Sequence, residues 1–180
     1  MATHGFLGAS VGHFDFGENL RRAALEPGRY PALDVTEVSV VRHVLETGAL
    51  LEDHQFPIIE KLFTSFVAQN GLKETDWVLL NGMPRHVGQA EAVGRFADIQ
   101  YVANLVCDES VVYGRIRSNA GGDRAGRVDD DMAAVRNKLA IFSARTLPLI
   151  DYYRQKGVMV IDIPVGMQTT PAEIVSRLGR

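Results

Sequence analysis

The sequence predicts an α/β fold organised on a parallel sheet. Three short apolar runs carry that prediction: WVLL at 77–80, YVANLVC at 101–107 and VMVIDI at 158–163. Runs this short, each followed by polar or turn residues, fit strands buried on both faces. Longer stretches with helical spacing of apolar residues separate them, and strands alternating with helices argue for βαβ units. The 180 residues, 46% hydrophobic and 23% charged, are enough to bury a core, and the reading is a single domain over 1–180.

The elements follow in order. A first, short helix is read at 17–25, ending before Pro27-Gly28. A second covers 34–46 and is closed by Gly48 as a C-cap. A third, at 53–68, sets Phe56, Ile59, Leu62, Phe63 and Phe66 in one buried stripe and stops before Asn70-Gly71. Another helix is read at 110–118, followed by a short Gly-rich loop. Asp129 or Asp130 caps a helix that carries Val135, Leu139 and Phe142 on one face. Pro148 divides that helix from a section through Tyr152 and Tyr153. Thr170 caps the final helix, with Pro171 at its first position.

Composition narrows the function classes. A formal net charge of -3 gives no reason to expect a nucleic-acid or membrane surface. No stretch approaches the ~18 apolar residues of a membrane span. Residues 1–12 have neither Lys nor Arg and no long apolar block, unlike a signal peptide. Cys107 is the one cysteine and cannot form an internal disulfide, so a reducing, cytoplasmic setting is expected. Cys107 itself reads as a small buried hydrophobe.

Three constellations could carry chemistry. Asn81-Gly82-Met83-Pro84-Arg85, with Gln89 four residues on, lies just past the carboxyl end of a predicted strand, where open parallel sheets bind ligands. Gly82 permits a tight turn there, Arg85 offers a guanidinium fork that suits a phosphate, and the Gln89 amide can both donate to and accept from a base edge. Gly17-Glu18-Asn19-Leu20-Arg21 opens a short helix with Arg21 one turn in. Gly126-Arg127-Val128-Asp129-Asp130 is followed by Arg136 and Lys138; with Arg115, Arg117 and Arg124 it gathers cations of the kind that stabilise a transferring phosphoryl group. Read one at a time, each is also compatible with a solvated arginine beside a turn or helix cap.

In their order, these segments resemble the adenylate kinase family of nucleoside monophosphate kinases. That family has Thr-Gly-Asp-x-Leu-Arg, then Asp-Gly-[FY]-Pro-Arg-x-x-x-Gln, then a lid with catalytic arginines and a Gly-Arg-x-Asp-Asp helix start. Gly48-Ala49-Leu50-Leu51 resembles the loop beside the AMP base, and Thr146-Leu147-Pro148-Leu149-Ile150-Asp151-Tyr152-Tyr153 with Lys156-Gly157 resembles the family's tail. The likeness runs from about His13 to the C-terminus. It implies a three-layer α/β/α fold of the phosphate-loop kinase type, a monophosphate-binding segment at about 17–70 and a short lid at about 117–128. Arg21 and Arg85 would hold the AMP phosphate, with Gly17, Leu50, Leu51, Gly82 and Gln89 around the nucleotide. Arg127, Lys138, Arg115 and Arg124 would act on the transferring group. The partners implied are AMP and ATP with Mg²⁺, in the reaction AMP + ATP to two ADP. A short lid implies no structural zinc, which Cys107 alone could not hold.

The departures lie on the ATP side. Nothing in residues 1–12 matches G-x-x-x-x-G-K-[ST], so the phosphate-binding loop and the first strand are expected to be missing. Asn81 stands where the family has Asp, removing a charge near the water shell of Mg²⁺. Phe16 replaces a base-side Thr, one lid arginine falls on Asn119, and Lys138 keeps the charge of an arginine without its planar fork. Without the mid-sheet strand, the strands at 77–81 and 101–107 would stand about 9.6 Å apart, two strand spacings. Direct closure, or a strand from a second copy or partner chain, is the expected repair. Insertion of the N-terminal segment is not, because too little chain remains for a right-handed crossover. The readings are therefore a phosphotransferase impaired by loss of the phosphate loop, or a catalytically silent relative that binds a nucleoside monophosphate or a protein partner.

Overall fold

The computed structural model describes residues 11–120, 122 and 132–178 and divides into two compact units, Met1–Ala97 and Asp98–Arg180. Helices and parallel strands make up both, which is the α/β class the sequence predicts. The first unit runs β1 (Val11–Asp15), α1 (Phe16–Leu25), α2 (Val35–Thr47), α3 (Phe56–Asn70), β2 (Trp77–Asn81) and α4 (Val87–Val93). The second runs β3 (Tyr101–Val106), α5 (Glu109–Ser118), α6 (Met132–Ile141), α7 (Pro148–Gln155), β4 (Met159–Pro164) and α8 (Pro171–Leu178).

In the first unit β1 pairs in parallel with β2, from Val11 opposite Trp77 to Asp15 opposite Asn81. The sequence reading placed no strand here, because VGHFD carries only one large apolar side chain inside it. Tertiary packing overrides that weak local signal. Phe14 is fully buried, edge-on to Phe63 at 5.4 Å and Phe66 at 5.1 Å on α3. Phe63 continues the cluster to Phe96 at 4.8 Å. The predicted stripe of α3 holds: Phe56, Ile59, Leu62 and Phe63 are buried, and Phe66 is half-buried.

Polar ends fix the helices of this unit. Asp34 and Glu37 form a reciprocal capping box at the start of α2, and Gly48 closes the helix at φ 68°, a left-handed conformation that favours glycine. Glu37 also receives the Lys61 ammonium of α3 at 2.7 Å, so one half-buried carboxylate caps α2 and ties it to α3.

In the second unit β3 pairs in parallel with β4, from Tyr101 opposite Met159 to Val106 opposite Pro164. Among the described residues the ladders are β1–β2 and β3–β4; the strand beside 77–81 is the N-terminal segment 11–15, the insertion that the sequence reading did not expect. Nor are the strands buried on both faces: Leu79 is 56% exposed, Leu105 52% and Met159 58%. Cys107 is exposed rather than buried, as are Leu105 and Val106 at the end of β3 just before it.

Pro148 does open a new helix, α7. Between α6 and α7, Phe142–Thr146 widens into a π turn, with Leu147 N donating to the Phe142 carbonyl at 2.8 Å. The wider turn carries Phe142 off the face of buried Val135 and leaves it exposed, against expectation. Thr170 caps α8 as predicted, its Oγ1 accepting from Glu173 N while Glu173 returns a bond to Thr170 N. The helix cap expected at Asp129 or Asp130 lies outside the described residues.

Candidate functional site

Seven of the residues singled out by sequence, Gly17, Arg21, Leu50, Leu51, Gly82, Arg85 and Gln89, belong to the first unit. Their placement starts at the paired strand ends. Asp15 is the N-cap of α1, its Oδ1 accepting from Glu18 N at 2.8 Å. Its Oδ2 accepts from Asn81 Nδ2 at 2.9 Å, which clamps the carboxyl ends of β1 and β2 together. The Asp15 carbonyl accepts from Asn19 Nδ2, and buried Tyr30 donates to Asn19 Oδ1 at 2.8 Å, so a buried relay braces the start of α1.

Immediately after this clamp the chain turns at Gly82, φ 78°. A Cβ at Gly82 would sit 3.6 Å from Phe16 Cβ and 4.0 Å from Gly17 N. The turn after β2 therefore backs onto the first residues of α1, which joins two segments that are far apart in sequence. Arg21 is exposed and folds back along α1, its Nη1 3.4 Å from the place a Gly17 Cβ would occupy. Met83 is buried, the Met83–Pro84 peptide is cis, and Arg85 follows, half-buried. Burial lowers the Arg85 guanidinium from its ordinary value. An anion beside a desolvated guanidinium recovers more electrostatic energy than one in bulk water.

Beyond Arg85 the polar groups interlock. Gln89 is 2% exposed, its Oε1 accepts from Arg85 N at 2.8 Å, and its Nε2 donates to the Leu51 carbonyl at 2.9 Å. The amide expected to read a base edge thus holds the Arg85 turn and the Leu50-Leu51 segment together. His86 joins them: its Nδ1 accepts from Gln89 N, and its Nε2 donates to the same Leu51 carbonyl, both at 3.3 Å. Asp53 Oδ1 stands 3.6 Å from His86 Nδ1. A Cβ at Gly88 would meet that carboxylate at 2.3 Å, so a larger residue there would push the exposed Asp53 side chain away from His86. Sequence reasoning passed over His86 and Asp53; the available signal was a histidine in the N-cap position between Arg85 and Gln89. Asn81, read as a lost charge, is a donor to the neighbouring carboxylate of Asp15.

The second unit holds Arg115 and Lys138. Arg115 Nη1 donates to the carbonyls of Gly166, Met167 and Thr169 at 3.0 to 3.1 Å, which pins the loop after β4 onto α5. Lys138 is exposed on α6. Arg124 and Arg127, and with them most of the 117–128 lid, lie outside the described residues. Among the described residues no group of three His, Cys, Asp or Glu side chains is arranged to hold a metal ion, and no helix is long and apolar enough to cross a membrane.

No protein-family model matches the chain. It is similar to the adenylate kinase of Synechococcus sp. strain WH7803, 33% identical over 140 residues that span 75% of this chain and 68% of the relative. It is also similar to the adenylate kinase of Methylobacterium radiotolerans, 30% identical over 153 residues that span 78% of this chain and 70% of the relative. Against the adenylate kinase of Synechococcus sp. strain CC9311 it is 35% identical over 121 residues, and the chain spans 60% of that relative's length.

Proposed function

Since this chain belongs to the adenylate kinase family, we propose that its first unit binds a nucleoside monophosphate, AMP, as the phosphoryl acceptor of an AMP + ATP to two ADP reaction. The observation that supports this best is the Gly82 turn lying against the start of α1, with the desolvated Arg85 guanidinium three residues on. Arg85 and Arg21 take the phosphate, Leu50 and Leu51 flank the base, and Gln89 holds the Arg85 turn in place. The chemistry is positioning and charge stabilisation, with no covalent intermediate. Arg127, Arg124 and Lys138 are the cations this reading assigns to the transferring group. ATP brings Mg²⁺ as part of the substrate, and Asp15 is the carboxylate at the strand ends that would face its water shell.

Calorimetry with AMP tests the acceptor site. Arg85→Ala is expected to weaken binding by about tenfold or more, the size of a lost hydrogen bond to a charged group. Equal binding by wild type and variant removes the monophosphate site.

A second reading is favoured by one feature of the sequence: no G-x-x-x-x-G-K-[ST] occurs in the 180 residues. On that reading the chain binds AMP and transfers no phosphate by itself. A coupled assay of ADP formation from AMP and MgATP separates the two. Turnover at ordinary kinase rates of about 1–100 per second excludes the silent reading. Binding without turnover excludes activity of the chain alone.

A further inference from the structure

The interlock behind Arg85 contains one imidazole, the side-chain type that commonly serves as a proton switch, and it has no part in phosphate or base binding. His86 is 7% exposed and caps α4, and both of its ring nitrogens are engaged. The partners fix its proton. Gln89 N can only donate, so Nδ1 must accept; the Leu51 carbonyl can only accept, so Nε2 must carry the hydrogen. The arrangement is that of neutral imidazole. Adding a proton to Nδ1 turns this acceptor into a donor, and the bond from Gln89 N is lost. The carboxylate of Asp53, 3.6 Å from the same nitrogen, is the acceptor waiting on that side.

We infer that His86 is a proton-operated positioning residue. In its neutral form it caps α4 and holds the Leu50-Leu51 segment against the Arg85 turn; once protonated it turns to Asp53 and releases Gln89 N. The charged and titratable groups of the neighbouring elements are Asp53, with exposed Glu52 and His54 beside it, Arg85, and Lys61 and Glu60 of α3. Asp53 faces it from the short turn Asp53–Gln55, and Arg85 precedes it in the chain. α3, packed on α4, meets Phe96 with Phe56 and Phe63; its Lys61 is paired with Glu37 and its Glu60 is exposed. The switch is therefore an exchange between a helix cap and one ion pair. Gln89 is hydrogen-bonded to both Leu51 and Arg85, so loosening the start of α4 loosens both sides of the proposed acceptor site at once. That consequence for AMP rests on the monophosphate reading; the switch itself does not.

The test compares wild type with His86→Asn, a side chain that can cap α4 at every pH and does not titrate. Hydrogen exchange of segments 49–55 and 86–90 is followed from pH 8 to pH 5.5 and corrected for intrinsic exchange rates. Wild type is expected to lose about fivefold in protection, the equilibrium factor of a typical N-cap, while the variant stays level. Equal loss in both chains, or none in wild type, overturns the switch. Should the variant not fold, wild-type NMR decides instead: the His86 ring and the Gln89 amide must titrate with one midpoint, and different midpoints overturn the proposal. AMP calorimetry on both chains adds the link to the site. The phosphate of AMP itself titrates near pH 6, so the ratio of the two chains' affinities is the quantity read. An excess loss of about fivefold in wild type supports the coupling. AMP binding with no difference between the chains overturns the coupling. Failure of AMP to bind at any pH removes the monophosphate reading and leaves the switch to hydrogen exchange.

Discussion

In Met1–Ala97 the strand residue Phe14 is fully buried against Phe63 and Phe66, while in Asp98–Arg180 the strand residues Tyr101, Leu105 and Val106 stand 41%, 52% and 47% exposed. The two parallel ladders are similar in length, yet β1 is sealed at Phe14 by an aromatic cluster and β3 leaves its apolar side chains half in water; their partner strands reverse the trend, with Leu79 of β2 56% exposed and Ile163 of β4 1% exposed. Composition reports what a strand is able to bury; what covers it depends on the neighbouring elements. The contrast matters for function, because the residues gathered behind Arg85 depend on the sealed unit.

Phe14→Ala is the substitution with the largest expected effect. It removes a fully buried ring of β1 from the cluster with Phe63 and Phe66, and the loss should be about 3–5 kcal/mol. Urea unfolding read by hydrogen exchange in each unit checks it, and protection should fall in the first unit. A loss under about 1 kcal/mol would mean the aromatic cluster does not hold that unit together.

Next in size is the alkaline behaviour of Tyr153, in the second unit. Its hydroxyl is buried with no hydrogen-bond partner among the described residues, and burial pushes its pKa up to about 12 from an ordinary 10. The neutral phenol is the form the fold tolerates. Its contribution is present in full below pH 10, where neither state ionises, and is lost as pH rises from 10 through 12, where the unfolded chain ionises first. The loss by pH 12 is about 2 kcal/mol. Tyr153→Phe should flatten this limb and raise stability near pH 7 by up to about 1 kcal/mol, since no bond is broken. An unchanged alkaline limb in the variant removes Tyr153 as its source.

Asn81→Asp probes the clamp of the first unit. The substitution puts a second carboxylate where an amide now donates to Asp15 at 2.9 Å. A cost of about 1 kcal/mol is expected at pH 7, from a lost hydrogen bond and like-charge repulsion. Repulsion raises the carboxyl pKa in the fold, so the penalty is present above the ordinary carboxylate range and fades as pH falls through it. Thermal unfolding at pH 7 and pH 4 shows whether the penalty is electrostatic; a cost that does not change with pH points to packing instead.

The sequence shows most clearly those features that are local. The Gly48 stop, the Pro148 break and the Thr170 cap are contacts between residues close in the chain, and each stands where it was expected; the capping box of Asp34 and Glu37 is equally local, but Asp34 was read as part of the helix and not as its cap. β1 was not legible, since its single buried ring acts through a helix some fifty residues away. The motif order brought Gly82, Arg85, Gln89 and Leu51 into one neighbourhood, but not the direction of their bonds. Gln89 was read as a base contact because its amide is versatile; only the fold shows both ends tied to backbone. The position of His86 ahead of α4 hints at a cap, but its bond to Leu51 is visible only once the fold brings that carbonyl beside it.

The smallest effect belongs to the exposed ladder. Leu105→Ser exchanges a side chain that is already half in water, so it forfeits little burial, and the expected change in unfolding free energy is within about 0.5 kcal/mol. The comparison with Phe14→Ala is what gives it meaning, because both positions lie inside a parallel strand and only the covering differs. Chemical unfolding of both variants in one buffer measures the pair. A Leu105→Ser cost approaching that of Phe14→Ala would show that the apolar face of β3 is covered in solution, by a second copy or another chain. Sedimentation at two protein concentrations would then distinguish those two sources, since only self-association changes with the concentration of this chain alone.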